Sequence, residues 1–232
     1  MLYLLRASVP DRPGALGVLA SAIGEAGGDI AAIDVVERSS TSAVDDILVE
    51  SVDEAAARRI LATVGELNGV VVEAWQPFTE GDQLGNGLDI VAALGSSGSR
   101  ALTAVTRIAP AMLRARWVVI VDEVNGGVAI THASVGAPWV RWTKLPWLPI
   151  TVADVVAGDP SWLPHEWGPN PQMAAAPLGG THTALLAVRP DGPQFRHAEI
   201  ARLANLAAIA ALVSHPAALR DREDGERKLS SR

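Results

Sequence analysis

Asp11-Arg12-Pro13-Gly14-Ala15-Leu16, followed by Gly27-Gly28-Asp29-Ile30, is the stretch on which the fold of this chain turns. Ahead of it, residues from Leu2 to Val9 are apolar and extended in character, and Pro10 and Pro13 forbid further ladder pairing. Within it, Leu16, Leu19, Ala20 and Ile23 recur at helical spacing from Ala15 to Ala26. Pro13 suits a first helical position, and Gly27-Gly28 suits the stop. The pattern predicts a strand, a loop and an amphipathic helix.

Outward from there, Ile30 to Val36 is rich in Ile and Val, Ser39 to Ser42 is a polar turn, and Asp46 to Val52 is a second β-like run, which together predict a hairpin. Asp53 is placed to cap a helix in which Ala56, Ile60, Leu61, Val64 and Leu67 share a face, before Asn68-Gly69 ends it and Val70-Val71-Val72 extends again. The order strand, helix, strand, strand, helix, strand is that of a ferredoxin-like βαββαβ domain, an α+β class with both helices on one side of four antiparallel strands. Such a sheet leaves one face and its edges to a partner, and a homodimer is expected.

The periodicity breaks between Gln76 and Gly87, so residues 1–76 are expected to form one domain, 77–87 a linker and 88–215 a second domain. In the second, Leu88 to Leu94 and Arg100 to Arg114 read as helical. Trp117 to Val121 and Val128 to Ala133 read as strands joined by Asn125-Gly126, a strong hairpin signal. Gly95-Ser96-Ser97-Gly98-Ser99 lacks the lysine and preceding strand of a phosphate loop and reads as a break before a helix. Ala137 to Pro177 carries five tryptophans and many prolines, with only Val152 to Val156 suggesting a helical turn; a segment of this kind is often functional. Thr181 to Val188 reads as a strand, Pro190 to Pro193 as a turn, and Ala198 to Val213 as a helix with Leu203, Leu206, Ala210 and Val213 inward. The tail, 216–232, is charged, nearly without apolar residues and expected to be disordered.

With 232 residues, 49% of them hydrophobic, the chain can build two cores. A net charge of −7 argues against a nucleic-acid partner. There is no cysteine, hence no thiolate metal site, disulfide or cysteine nucleophile. The opening residues do not read as a signal peptide and no apolar window is long enough for a membrane span, so a cytoplasmic protein without a membrane partner is expected. Histidines 132, 165, 182 and 197 are widely spaced without carboxylates at ligand spacing, and neither a metal nor another cofactor is indicated.

The Asp11-Arg12-Pro13-Gly14-x-Leu16 loop and the Gly28-Asp29-Ile30 strand entry, at their distance within that element order, closely resemble the ACT domain over about residues 2–75. The resemblance implies a regulatory module that binds an amino acid at a dimer interface. Loop chemistry suits that job, because a helix amino terminus presents unpaired N–H groups and positive partial charge to a carboxylate. The candidate ligand-binding residues are Asp11, Arg12, Pro13, Gly14, Ala15, Leu16, Asp29 and Ile30. Backbone N–H groups near Gly14, Ala15 and Leu16 would hold the carboxylate, and Asp11 with Asp29 the α-ammonium. Asp29 departs from the family's usual asparagine, since a carboxylate only accepts hydrogen bonds. Alternatively, Asp11 caps the helix, Gly14 serves a turn and the module only dimerises.

Residues from about 88 to 214 resemble a GAF domain, in the helix ending at Arg114-Ala115-Arg116, the Trp117 to Ile130 hairpin, and the closing block from Ala176 to Phe195. That resemblance implies a small-molecule sensor, with the tryptophan-rich segment either walling a pocket for an apolar or planar ligand or filling the core. The chain therefore reads as a non-catalytic regulatory protein. Two rivals are a regulatory subunit docking on a biosynthetic partner enzyme, and an enzyme using His132, His165 or His182 as acid–base residues.

Overall fold

Strands β1 (Leu2–Pro10), β2 (Gly28–Arg38), β3 (Ser42–Ser51) and β4 (Val71–Pro77), with helices α1 (Ala15–Glu25) and α2 (Glu54–Gly65), follow in the order β1, α1, β2, β3, α2, β4. The computed structural model describes residues 1–78, 92–190 and 192–214; the expected linker from residue 79 onward, residues 88–91 and the tail 216–232 fall outside them. The protein is mixed α+β, with one antiparallel sheet of four strands and one of six. It divides into two compact units, the four-stranded sheet belonging to the first and the six-stranded sheet to the second.

In the first unit the strand order is β2-β3-β1-β4, so β2 and β4 are the edges. Strand alternation sends Leu5, Ala7 and Val9 of β1 and Ile47 and Val49 of β3 to one face, where they pack with Leu19 and Ile23 of α1 and Ile60 and Val64 of α2. The helices form where expected. Asp53 caps α2, its Oδ1 accepting from the Ala56 N–H at 2.7 Å. Helix α1 begins differently from the expectation: it starts at Ala15, with Gly14 in the left-handed region at φ 87° as its cap and no side chain capping it. Pro13 is thus in the preceding turn rather than at the first helical position.

The second unit contains α3 (Ala101–Leu113), β5 (Trp117–Val124), β6 (Gly127–Ala133), β7 (Arg141–Trp142), β8 (Asp154–Val156), β9 (Gln172–Pro177), β10 (Thr183–Arg189) and α4 (His197–Ser214). Its sheet order is β7-β6-β5-β10-β9-β8. The Asn125-Gly126 turn joins β5 to β6 with both residues at positive φ, 50° and 78°, as a tight hairpin requires. One face, through Val118, Ile120, Leu185 and Ala187, packs on α3 and α4; the other, through Val119, Val121, Leu186 and Val188, packs on Leu145, Leu148, Trp162 and Trp167 of the irregular segment. This segment also supplies three strands. Residues 154–156 are the edge strand β8, not the helical turn predicted over Val152–Val156, because they pair with β9. Helix α4 is, by length and composition, long and apolar enough to cross a membrane, at 18 residues and mean hydropathy 1.2; its Leu203, Leu206, Ala207 and Ala210 lie in the core beneath the sheet.

Candidate functional site

At the β1–α1 loop, the Asp11 N–H donates to the Thr41 carbonyl at 3.0 Å, the Arg12 N–H to the Pro10 carbonyl at 2.9 Å, and the Ala15 N–H to the Arg12 carbonyl at 3.2 Å. The first turn-to-turn bond of α1 runs from the Val18 N–H to the Gly14 carbonyl at 3.0 Å. Leu16 and Gly17 precede that bond, so helix geometry leaves their N–H groups without an i−4 carbonyl within the helix. Of the three N–H groups expected to receive a carboxylate, that of Ala15 is therefore engaged by the loop itself, while Leu16 stands at an uncapped helix start. Gly14 has open space where a Cβ would sit. Arg12, Pro13, Gly14 and Leu16 are exposed and Ala15 is half-buried.

Asp11 does not cap the helix. Its two carboxylate oxygens accept from Arg38 Nε at 2.9 Å and Nη2 at 2.8 Å. This bidentate pair holds the Asp11 carboxyl below the usual carboxylate range, chiefly through the hydrogen bond, and correspondingly raises the guanidinium of Arg38. Arg38 is the residue of this site that the sequence reading missed. Its signal was a single basic side chain closing the second strand, across the hairpin from the loop.

Asp29 and Ile30 open β2, opposite Glu50 and Val49 of β3. Ile30 packs on the core shared with α1 and α2; alternation turns the exposed Asp29 away from the helices. Asp29 shares its row of the sheet with Leu2, at the start of β1, whereas Asp11 follows its last residue, Pro10. Eight residues of extended chain separate those rows, about 26 Å at the usual strand rise. One chain therefore does not bring Asp11 and Asp29 together. Because β2 is an edge, antiparallel pairing with the β2 of a second copy would set the Asp29 end of one beside the Arg38 end of the other.

Two carboxylates elsewhere in the sheet are unusual. Arg6 and Asp46, opposed across β1 and β3, form a bidentate pair at 2.7 and 2.9 Å with both side chains 1% exposed. Asp45 is buried opposite Ala7, and its Oδ1 has no hydrogen-bond partner among the described residues. Burial, then the charges of Asp46 and Asp34, push its carboxyl upward.

In the second unit the tryptophans interlock. Trp142 Nε1 donates to the Trp162 carbonyl at 2.7 Å, while Trp142 meets Trp167 edge-on at 6.0 Å and Trp147 meets Trp162 at 6.3 Å. Trp162 and Trp167 are buried in the sheet core, so these two fill space, whereas Trp139 is 67% exposed. Of the candidate acid–base histidines, the His132 ring contacts the Thr131 hydroxyl at 3.2 Å and its pKa is lowered by burial. His182 Nδ1 contacts Glu123 Oε2 at 2.7 Å on the surface, and His165 starts a short 3-10 turn. Each thus has its own surroundings rather than a shared partner. No protein-family model matches the chain, and no curated protein matches it.

Proposed function

We propose that the chain is a non-catalytic regulatory protein whose first unit is a ferredoxin-like, ACT-type module binding an amino acid between two copies, and whose second unit is a GAF-type sensor. The observation that carries this reading is the uncapped start of α1 behind left-handed Gly14, at the mouth of a βαββαβ unit. An anion there meets the Leu16 and Gly17 N–H groups and the positive end of the helix. The edge position of β2 supports the two-copy arrangement, since only a second copy can bring an Asp29 to the Asp11–Arg38 end. Asp29 then supplies an acceptor for the ammonium, while Arg38 neutralises Asp11.

A thermal-shift screen of the twenty amino acids tests the reading. A ligand that binds only the folded state raises Tm with the logarithm of its concentration, and Asp29→Asn should reduce that shift. A panel with no shift refutes ligand binding. The Arg38 clamp on Asp11 favours a second reading for that outcome, in which the module serves assembly alone; the native chain then remains dimeric by light scattering without any ligand.

A further inference from the structure

The β5–β6 turn and β7 enclose an open groove of about 380 Å³, lined in part by Asn125, Gly126, Gly127, Arg141, Trp142 and Thr143. Among the described residues, Arg141 is the only charged one in its lining; it is exposed and makes no ion pair with any of them. In a chain of net charge −7, a groove whose one charge is positive is locally distinctive. The acids nearest to it along the sheet, Asp122 and Glu123, lie outside that lining. Asp122, in the row of Ala129 and Arg141, accepts from the Thr183 hydroxyl at 2.7 Å, and Glu123 contacts His182.

The groove is also held in shape. Trp142 is tied through its indole to the Trp162 carbonyl, which anchors the two-residue strand carrying Arg141. Across from it, Gly127 approaches so closely that a Cβ there would lie 2.9 Å from the Trp142 carbonyl oxygen. The Asn125-Gly126 turn is fixed by its left-handed residues. Open and mostly polar, the groove has room for a small polar group rather than an enclosed ligand. Its donors are a guanidinium, the Thr143 hydroxyl and the Asn125 amide, a set suited to a planar or tetrahedral oxyanion.

We infer that this groove binds a small anion, a carboxylate or a phosphate, with Arg141 as its charge partner and Thr143 as a second donor. The site belongs to the second unit alone, and its test is independent of whether the first unit binds an amino acid.

Calorimetric titration of the full chain with inorganic phosphate, and separately with benzoate, decides it and separates the two sources. Arg141→Gln should weaken the binding probe about tenfold, the loss of one charge-assisted contact. Thr143→Val should weaken it less, and Lys144→Gln, beside the groove but outside its lining, should leave it unchanged. All three positions are exposed, and unchanged circular dichroism shows that the variants fold. Absence of binding by both probes, or equal affinity in Arg141→Gln and native protein, overturns the site.

Discussion

Asp45, in β3, and Asp11, in the β1–α1 loop, are carboxylates whose surroundings push their proton affinities in opposite directions, and pH separates their effects. Asp45 holds its proton more tightly folded than unfolded, because burial and the neighbouring Asp46 and Asp34 disfavour its charge. Its contribution to stability is therefore full below the unfolded carboxyl value of about 3.9 and declines as pH rises through the raised folded value. Asp45→Asn should stabilise the first unit at neutral pH, and the gain should vanish in acid. Denaturant melts at two pH values check this; equal gains at both would contradict it. Asp11 has the reverse sign: its folded pKa is depressed by Arg38, so its contribution is present above about 3.9 and is lost as pH falls through the folded value. Arg38→Gln should abolish that acid-side loss, and because the pair is exposed, added salt should blunt the difference between variant and native protein. This pairing was not legible in the sequence. Spacing marks Asp11 as a helix-start residue, but not that a hairpin brings Arg38 to it first.

At the scale of elements, local chemistry was legible where a single residue decides the outcome. Asp53 before an apolar helical stripe and Asn125-Gly126 between apolar runs each specify their geometry without help from distant residues. Asp53→Ala should cost about 1 kcal/mol by releasing the Ala56 N–H. Gly14→Ala should cost a similar amount, about 1 kcal/mol, for backbone conformation alone, since nothing crowds the added methyl. Gly28→Ala should cost more, because its Cβ would meet Ile60 Cδ1 at 2.8 Å and Ile23 Cγ2 at 2.9 Å. Thermal melts of the three variants rank these effects. The strands of the tryptophan-rich segment were not legible, for a physical reason. Gln172-Met173-Ala174-Ala175-Ala176-Pro177 has little intrinsic strand preference and no polar alternation, yet forms β9 because it lies between β10 and β8 with Met173 to Ala176 fully buried. Pairing overrides propensity there, and the same pairing converts residues 154–156 into β8.

Across the whole second unit, one buried cation joins three elements. Arg189, at the end of β10, donates to the Leu113 and Arg114 carbonyls at the end of α3, to the Pro193 carbonyl, and to Glu199 in the first turn of α4; its guanidinium lies 3.9 Å over the Phe195 ring. Arg189 and Glu199 are each 3% exposed. Removing one partner leaves the other charge buried, so Arg189→Met should cost about 3–5 kcal/mol, and Arg189→Met with Glu199→Gln should recover part of that loss. Urea unfolding of the native protein, Arg189→Met, Glu199→Gln and the double variant measures the coupling; additive losses would show that the pair is not a unit. Sequence alone ranks Arg189 as an ordinary residue before a turn, since its partners come from three separate stretches.

The two sheets end very differently. The six-stranded one closes on strands of two and three residues, too short to template another chain. The four-stranded one presents eleven residues of β2 along its rim, with Ile33 and Val35 uncovered at 41% and 54%. Unwanted self-association, such as fibril seeding once the two copies have parted, should therefore start from that rim, and a single lysine in place of Ile33 should slow the rise of thioflavin fluorescence.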